Sequence, residues 1–274
     1  MPSPPAQRII AADVHRVPRP FRSFAVRSDE PRHADDARAP YGRVHVVPTA
    51  FLDAAALARL ATEGRSRVAP PTFPDVFHAR TSLAELAAAA PGAAGLAAAL
   101  HLTGVLGPDR IGYERCLATR IDYLVANGAG FHNDVNRHWS ACLFWVLALA
   151  ADDVEFVMPH AGVRLPLAPG DLLVFDPTMA HGLCRPADHG QALPASFDSG
   201  AHRTQVFLTG ELQLGDASWA ALGATWRPVE EHERLGALDL RLAEFDDQTG
   251  AIKLPRTLLH GMKRSTGEAD DVGR

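Results

Sequence analysis

Two stretches decide the fold: Gly128-Ala129-Gly130-Phe131-His132-Asn133-Asp134, and Pro169-Gly170-Asp171-Leu172-Leu173-Val174-Phe175 running on to His181-Gly182. Each joins a short apolar segment to a glycine-bearing turn and then to polar residues. Similar runs, rich in β-branched, aromatic and aliphatic residues, surround them: 115–125, 139–150, 154–158, 163–167, 172–175 and 204–212. Asn127-Gly128, Pro169-Gly170-Asp171 and the Gly/Pro/Ser stretch 186–200 punctuate these runs. Strands at this spacing predict a sandwich or barrel. The lack of helices between them argues against a parallel α/β sheet. The expected fold is therefore mainly β with flanking helices, around a jelly roll core.

Working outward, Arg43 to Val47 reads as a strand, and Thr49 with Asp53 opens an Ala/Leu-rich helix ending near Gly64. Ser82 and Glu85 have capping-box spacing, Pro91-Gly92 interrupts that helix, and Ala93 to Leu100 resumes it. Asp216 to Leu222 and Leu238 to Phe245 read as closing helices before a polar tail. Four regions follow: 1–42, an irregular or flexible arm rich in Pro, Arg and Asp; 43–112, a helical support; 113–212, the jelly-roll catalytic core; 213–274, C-terminal helices and tail. Residues 43–264 are expected to form one domain.

Composition removes several function classes. The 274 residues are 47% hydrophobic and 22% charged, an ordinary globular balance. Lys+Arg 27 against Asp+Glu 32 leaves a net charge of -5, so no basic footprint for nucleic acid is expected. No apolar run approaches the roughly 20 residues of a membrane helix. The N-terminus lacks a secretory pattern, so a cytoplasmic location is expected. Cys116, Cys142 and Cys184 are too widely spaced for a disulfide scaffold or a zinc knuckle and read as small core residues or bystanders.

The chemistry concentrates at His132, Asp134 and His181. On extended chain, residues two apart share a face, so His132 and Asp134 can reach one ion. His181 lies 47 residues after Asp134, a separation that lets an antiparallel barrel run out and return it beside the pair. Two imidazoles and a carboxylate on one face are the ligand set of non-haem Fe(II) oxygenases. His-x-Asp alone is common by chance; the flanking sequence gives it weight. His138, His160, His189 and His202 read as surface or loop residues, and Trp139, Phe144 and Trp145 as core.

Arg120-Ile121-Asp122-Tyr123 with Gly128, Phe131, His132 and Asp134 resembles the ligand entry of the Fe(II)/2-oxoglutarate-dependent dioxygenases. The 169–182 stretch resembles that family's second-ligand region, and Ser199-Gly200-Ala201-His202-Arg203-Thr204-Gln205-Val206 its cosubstrate-binding strand. The resemblance spans about residues 113–212. It implies a double-stranded β-helix that uses Fe(II), 2-oxoglutarate and O2. It also implies His132, Asp134 and His181 as iron ligands, Arg203 as the fork that grips 2-oxoglutarate, and Tyr123 as a phenol assisting it. The expected reaction oxidises an unactivated C–H bond of a small molecule, such as an amino acid derivative or natural-product intermediate. 2-Oxoglutarate would become succinate and CO2. The intact carboxylate of Asp134 points to hydroxylation or a related oxidation rather than halogenation. Two departures stand out. Arg203 follows His181 by 22 residues, which keeps Arg185 open as an alternative anchor, and 151–156 lacks the glycine pair often found there. A cupin-type metalloenzyme without 2-oxoglutarate, or a catalytically silent jelly-roll binding module, are the competing readings.

Overall fold

The computed structural model describes residues 7–11, 25–26, 36–38, 41–106, 110–134, 142–197, 204–224, 227–228, 244–246 and 248–253. Strands β1 (Arg8–Ala11), β2 (Ala25–Val26), β3 (Asp36–Arg38) and β4 (Arg43–Pro48) open the chain. Helix α1 (Ala54–Ser66), strand β5 (Val76–Thr81) and helices α2 (Leu83–Ala89), α3 (Leu96–Leu102) and α4 (Arg110–Thr119) follow. Then come β6 (Ile121–Ala126), β7 (Ala129–His132), β8 (Cys142–Ala150), β9 (Glu155–Met158), β10 (Val163–Pro166), β11 (Asp171–Phe175) and β12 (His181–Cys184). Helix α5 (Pro194–Phe197), strand β13 (Gln205–Gln213), helix α6 (Asp216–Ala221) and strands β14 (Arg227–Pro228), β15 (Glu244–Phe245) and β16 (Ile252–Lys253) close the described chain.

Two sheets carry the molecule, in the orders β1-β4-β11-β8-β13-β6-β5 and β10-β9-β12-β7. Within them β6 pairs with β13, β7 with β12, β8 with β11 and β9 with β10, all antiparallel. That nesting, first strand with last and so inward, is a jelly roll. The large sheet is apolar on both faces. Its outer face (Tyr123, Val125, Trp145, Leu147, Leu208) packs with α1 to α4 into one core. Its inner face turns Ala148, Leu173, Phe175 and Phe207 toward Phe156 and Val163 of the smaller sheet.

Local signals explain the helices. Asp53 accepts a hydrogen bond from Ala56 N at 2.7 Å, satisfying one orphan donor of α1. Leu57, Leu60, Ala61 and Gly64 of α1 are buried. Gly64 is needed there because a Cβ would stand 2.8 Å from Tyr123 Cδ1. Ser82 and Glu85 form a full capping box at the start of α2. Pro91–Gly95 is a 3-10 turn between α2 and α3, where the sequence breaks the helical pattern.

Three expectations are corrected. Residues 115–119, read as the start of a strand, are the last half of α4; the strand begins only at Ile121. Cys116 is a core residue as expected, but on a helix. Glu244–Phe245, expected at the end of a helix, is a strand paired with β16, and 238–243 lie outside the described residues. Within the supposed arm, β1 pairs with β4 and extends the large sheet. Phe144 packs against the inner core, as expected, and also lines the cavity described next.

Candidate metal centre and its cavity

β7 and β12 run antiparallel, with His181 directly opposite His132. Cross-strand neighbours on one face approach closely, and here the two imidazoles lie 4.4 Å apart between centroids, tilted by 52°. Asp134 follows two residues past His132, and its backbone N donates to Pro177 O at 3.0 Å. Its Oδ2 stands 3.8 Å from His181 Nε2. One donor atom from each of His132, Asp134 and His181 falls within 4.8 Å of the others, a spacing suited to a single ion.

Each ring is held by its other nitrogen. His132 Nδ1 is 2.8 Å from Gly130 O, and His181 Nδ1 is 2.8 Å from Met179 O. A carbonyl only accepts, so both Nδ1 atoms carry the proton and both Nε2 lone pairs are free to ligate. Burial, and then the neighbouring His132, push the His181 imidazolium pKa down to about 3, so the ring is neutral at physiological pH. The donor set fits a divalent transition metal, with two imidazole nitrogens and one carboxylate leaving further coordination positions open.

The loops that deliver these residues are pinned. Gly128, at φ +73° in the β6–β7 turn, adopts a conformation that suits glycine, and Phe197 packs where a Cβ would project. Gly128 N donates to Gln205 Oε1 at 2.7 Å. Between Phe175 and His181, the Asp176 carboxylate is fully buried. It accepts from Tyr41 N at 2.6 Å through Oδ2, and from Thr178 N at 3.0 Å and Thr178 Oγ1 at 2.7 Å through Oδ1.

The triad opens into a cavity of about 670 Å³ between the two sheets. Phe175 and Phe156 stand with ring centroids 5.0 and 6.0 Å from His181, so the wall beside the triad is aromatic. Leu173, Val146, Leu183 and Phe207 continue that apolar wall. Away from the triad, polar groups gather at His78, Arg120, Asp122, Thr209 and Glu211.

The structure thus gathers His132, Asp134 and His181 but places Tyr123 and Arg185 apart from them. Tyr123 faces the opposite side of the large sheet, beneath the Arg67 guanidinium 5.2 Å from its ring centroid, and burial raises its pKa. Its neighbours Asp122 and Leu124 face the cavity instead. Arg185 is also turned away: its Nη1 donates to the carbonyls of Asp152 and Asp153, and its guanidinium covers Phe197 at 4.8 Å. Arg203 lies outside the described residues. His160 and His189 sit at connecting turns, as expected, while His138, Trp139 and His202 lie outside the described residues. Asp176 and the Arg120–Asp122 pair are functional neighbours that no motif spacing singled out. Asp176-Pro177-Thr178 carries an Asx-turn signal, and Arg120 with Asp122 has the spacing of one strand face.

No family model matches the chain, and neither does any curated protein. Solved structures do resemble it. A viral collagen prolyl hydroxylase from Paramecium bursaria Chlorella virus-1, in complex with 2-oxoglutarate, matches with TM-score 0.40 and 9% identity over 63% of this chain and 96% of its own. A Pseudomonas putida prolyl-4-hydroxylase matches with TM-score 0.38 and 16% identity over 70% and 99%. A non-haem α-ketoglutarate-dependent carbocyclase of nogalamycin biosynthesis matches with TM-score 0.37 and 14% identity over 78% and 90%. At these identities the likeness concerns fold alone. Among the described residues, no helix is long and apolar enough to cross a membrane.

Proposed function

We propose that this protein is a non-haem Fe(II)- and 2-oxoglutarate-dependent oxygenase that hydroxylates a C–H bond of a small molecule. One observation carries the reading: two Nδ1-protonated histidines and a carboxylate converge on one point at the wall of an apolar cavity. When bound, iron with 2-oxoglutarate and O2 supplies the oxidising power, converting 2-oxoglutarate to succinate and CO2. The chain itself contributes placement and dryness. His132, Asp134 and His181 would hold the metal, and the Gly130 and Met179 carbonyls fix the two imidazole rings. Phe156 and Phe175 exclude water beside His181 and offer an apolar seat for the substrate carbon. Arg203, just before β13, is the proposed holder of the cosubstrate carboxylate.

One observation favours a second reading, a cupin-type metalloenzyme that does not use 2-oxoglutarate. Past Thr209 and Asp122, the next cavity-facing positions of β13 and β6 are Phe207 and Leu124, which offer no charge to a dicarboxylate. Anaerobic loading with Fe(II) and 2-oxoglutarate, followed by air, decides between them. Succinate and CO2 released in step, and lost in His132→Ala and His181→Ala, are expected. Iron bound at the triad without succinate release would reject the oxygenase reading in favour of the cupin type.

A further inference from the structure

We infer that the polar end of the cavity is a head-group site for a zwitterion, and that the ligand class is a free α-amino acid with an apolar side chain. This deepens the proposed function, but the binding itself depends on neither metal nor oxidation.

Arg120, Asp122 and Glu211 all line the cavity. Arg120 donates from Nε to Asp122 Oδ2 at 2.6 Å. The Arg120 side chain is 55% exposed and Asp122 only 9%, so a buried carboxylate aims a guanidinium whose other edge faces outward. That contact uses Nε alone. The two terminal nitrogens stay outside it, as the planar fork that matches a carboxylate bidentately.

Charge balance then selects the ligand. Asp122 neutralises Arg120 and so weakens any purely anionic guest. Glu211 adds a further carboxylate, whose Oε2 accepts from Gln213 Nε2 at 2.8 Å. The β6–β13 ladder ends at Thr209 opposite Asp122; continued by two residues past its end, the same register would set Glu211 across from Arg120, and both residues line the cavity. Cross-strand neighbours have Cβ atoms about 4.5–5.5 Å apart. A fork for a carboxylate beside a carboxylate for an ammonium is complementary to a guest carrying both groups on adjacent atoms. A simple carboxylate would meet Glu211 unfavourably, and a simple amine would leave the fork unused.

The rest of the cavity dictates the body. The head group sits on the large sheet, while β7 and β12 of the smaller sheet carry the triad. Facing sheets stand about 10 Å apart, so a side chain leaving the head group passes Phe175 of the large sheet and crosses toward Phe156 and the metal ligands. That path is apolar. The carbon presented to the triad is therefore a side-chain carbon, away from the ammonium and carboxylate.

The test is isothermal titration of the metal-free full chain with L-leucine, L-methionine and L-phenylalanine, each beside its amide and its N-acetyl derivative. At least one amino acid is expected to bind tenfold or more tightly than both of its derivatives. Arg120→Gln should erase the preference over the amide, and Glu211→Gln the preference over the N-acetyl form. Both side chains are partly exposed, and far-UV circular dichroism checks the fold of the variants. A parallel 2-oxoglutarate titration of the Co(II)-loaded protein should be unchanged in both. If Arg120→Gln weakens 2-oxoglutarate and spares the amino acids, Arg120 is a cosubstrate anchor and the inference falls. It falls equally if all three amino acids bind no better than their derivatives. Failure of succinate release would reject the oxygenase reading and leave this binding result standing.

Discussion

Replacing Asp176 with Asn should damage both the fold and the metal site. The Asp176 carboxylate is fully buried and, among its described partners, receives three donors, Tyr41 N–H, Thr178 N–H and Thr178 Oγ1–H. An amide keeps the shape but puts an NH2 where one oxygen accepted. In the less damaging orientation the remaining oxygen serves Thr178 and the NH2 confronts Tyr41 N–H. Losing one hydrogen bond to a charged group costs about 1.5–3 kcal/mol. At roughly 2–4 °C per kcal/mol for a domain of this size, Tm should fall by about 3–12 °C.

The second consequence reaches the triad. Asp176 anchors the segment that runs to His181, its own carbonyl accepts from Met179 N, and the adjacent Pro177 carbonyl accepts from Asp134 N. One buried side chain therefore fixes the approach of two of the three ligands. Partners that orient metal ligands commonly contribute roughly 10–100-fold in metal affinity. Co(II) affinity, followed by its visible absorption in the folded variant, should weaken by that order. Thr178→Val removes only one of the three donors and should show smaller losses in both assays. An Asp176→Asn protein with wild-type Tm and wild-type Co(II) affinity would refute the reasoning.

Other outcomes are expected. His132→Ala and His181→Ala should each abolish stoichiometric Co(II) binding by equilibrium dialysis; if either keeps wild-type affinity, the ligand set is wrong. Asp134→Gly keeps both imidazoles and removes a charge, so it should bind Co(II) weakly and change its spectrum on adding chloride; a spectrum insensitive to chloride argues against Asp134 as a ligand. Titrated with 2-oxoglutarate in parallel, Arg203→Ala should lose affinity and Arg185→Ala should not, because Arg185 is spent on the 152 and 153 carbonyls. His45 gives a pH dependence. Burial, and then Arg43, lower its pKa to about 4 from the usual 6.5. The unfolded chain therefore takes up the extra proton between those values, and stability should climb from pH 4 to 6.5 and level off above. His45→Gln should flatten that climb in Tm, and an unchanged slope would assign it to other groups.

The triad was legible because its signal is local and periodic. His132 and Asp134 share a strand-like face by their spacing, and the run before His181 is a strand followed by a turn that the jelly-roll nesting returns to β7. The helix start was not legible, because 115–119 (Arg-Cys-Leu-Ala-Thr) fits helix and strand alike over so short a span. The helix begins further back, at Arg110, where the apolar pattern is weak.

Tyr123 shows a deeper limit. On β6, Ile121, Tyr123 and Val125 share one face while Asp122 and Leu124 share the other. In a sheet with one wet face, polar alternation would reveal which set faces inward. Here both faces are covered, one by α1 to α4 and one by the smaller sheet, so most positions on both are apolar. Period two then tells which residues go together but not which way they point. Sequence-distant contacts set that phase: α1 presents Gly64 to the Tyr123 ring, and β13 presents Thr209 beside Asp122. A single-residue error of phase exchanges every side chain between the two faces. For this strand, that exchange replaces a buried phenol with the carboxylate that aims Arg120.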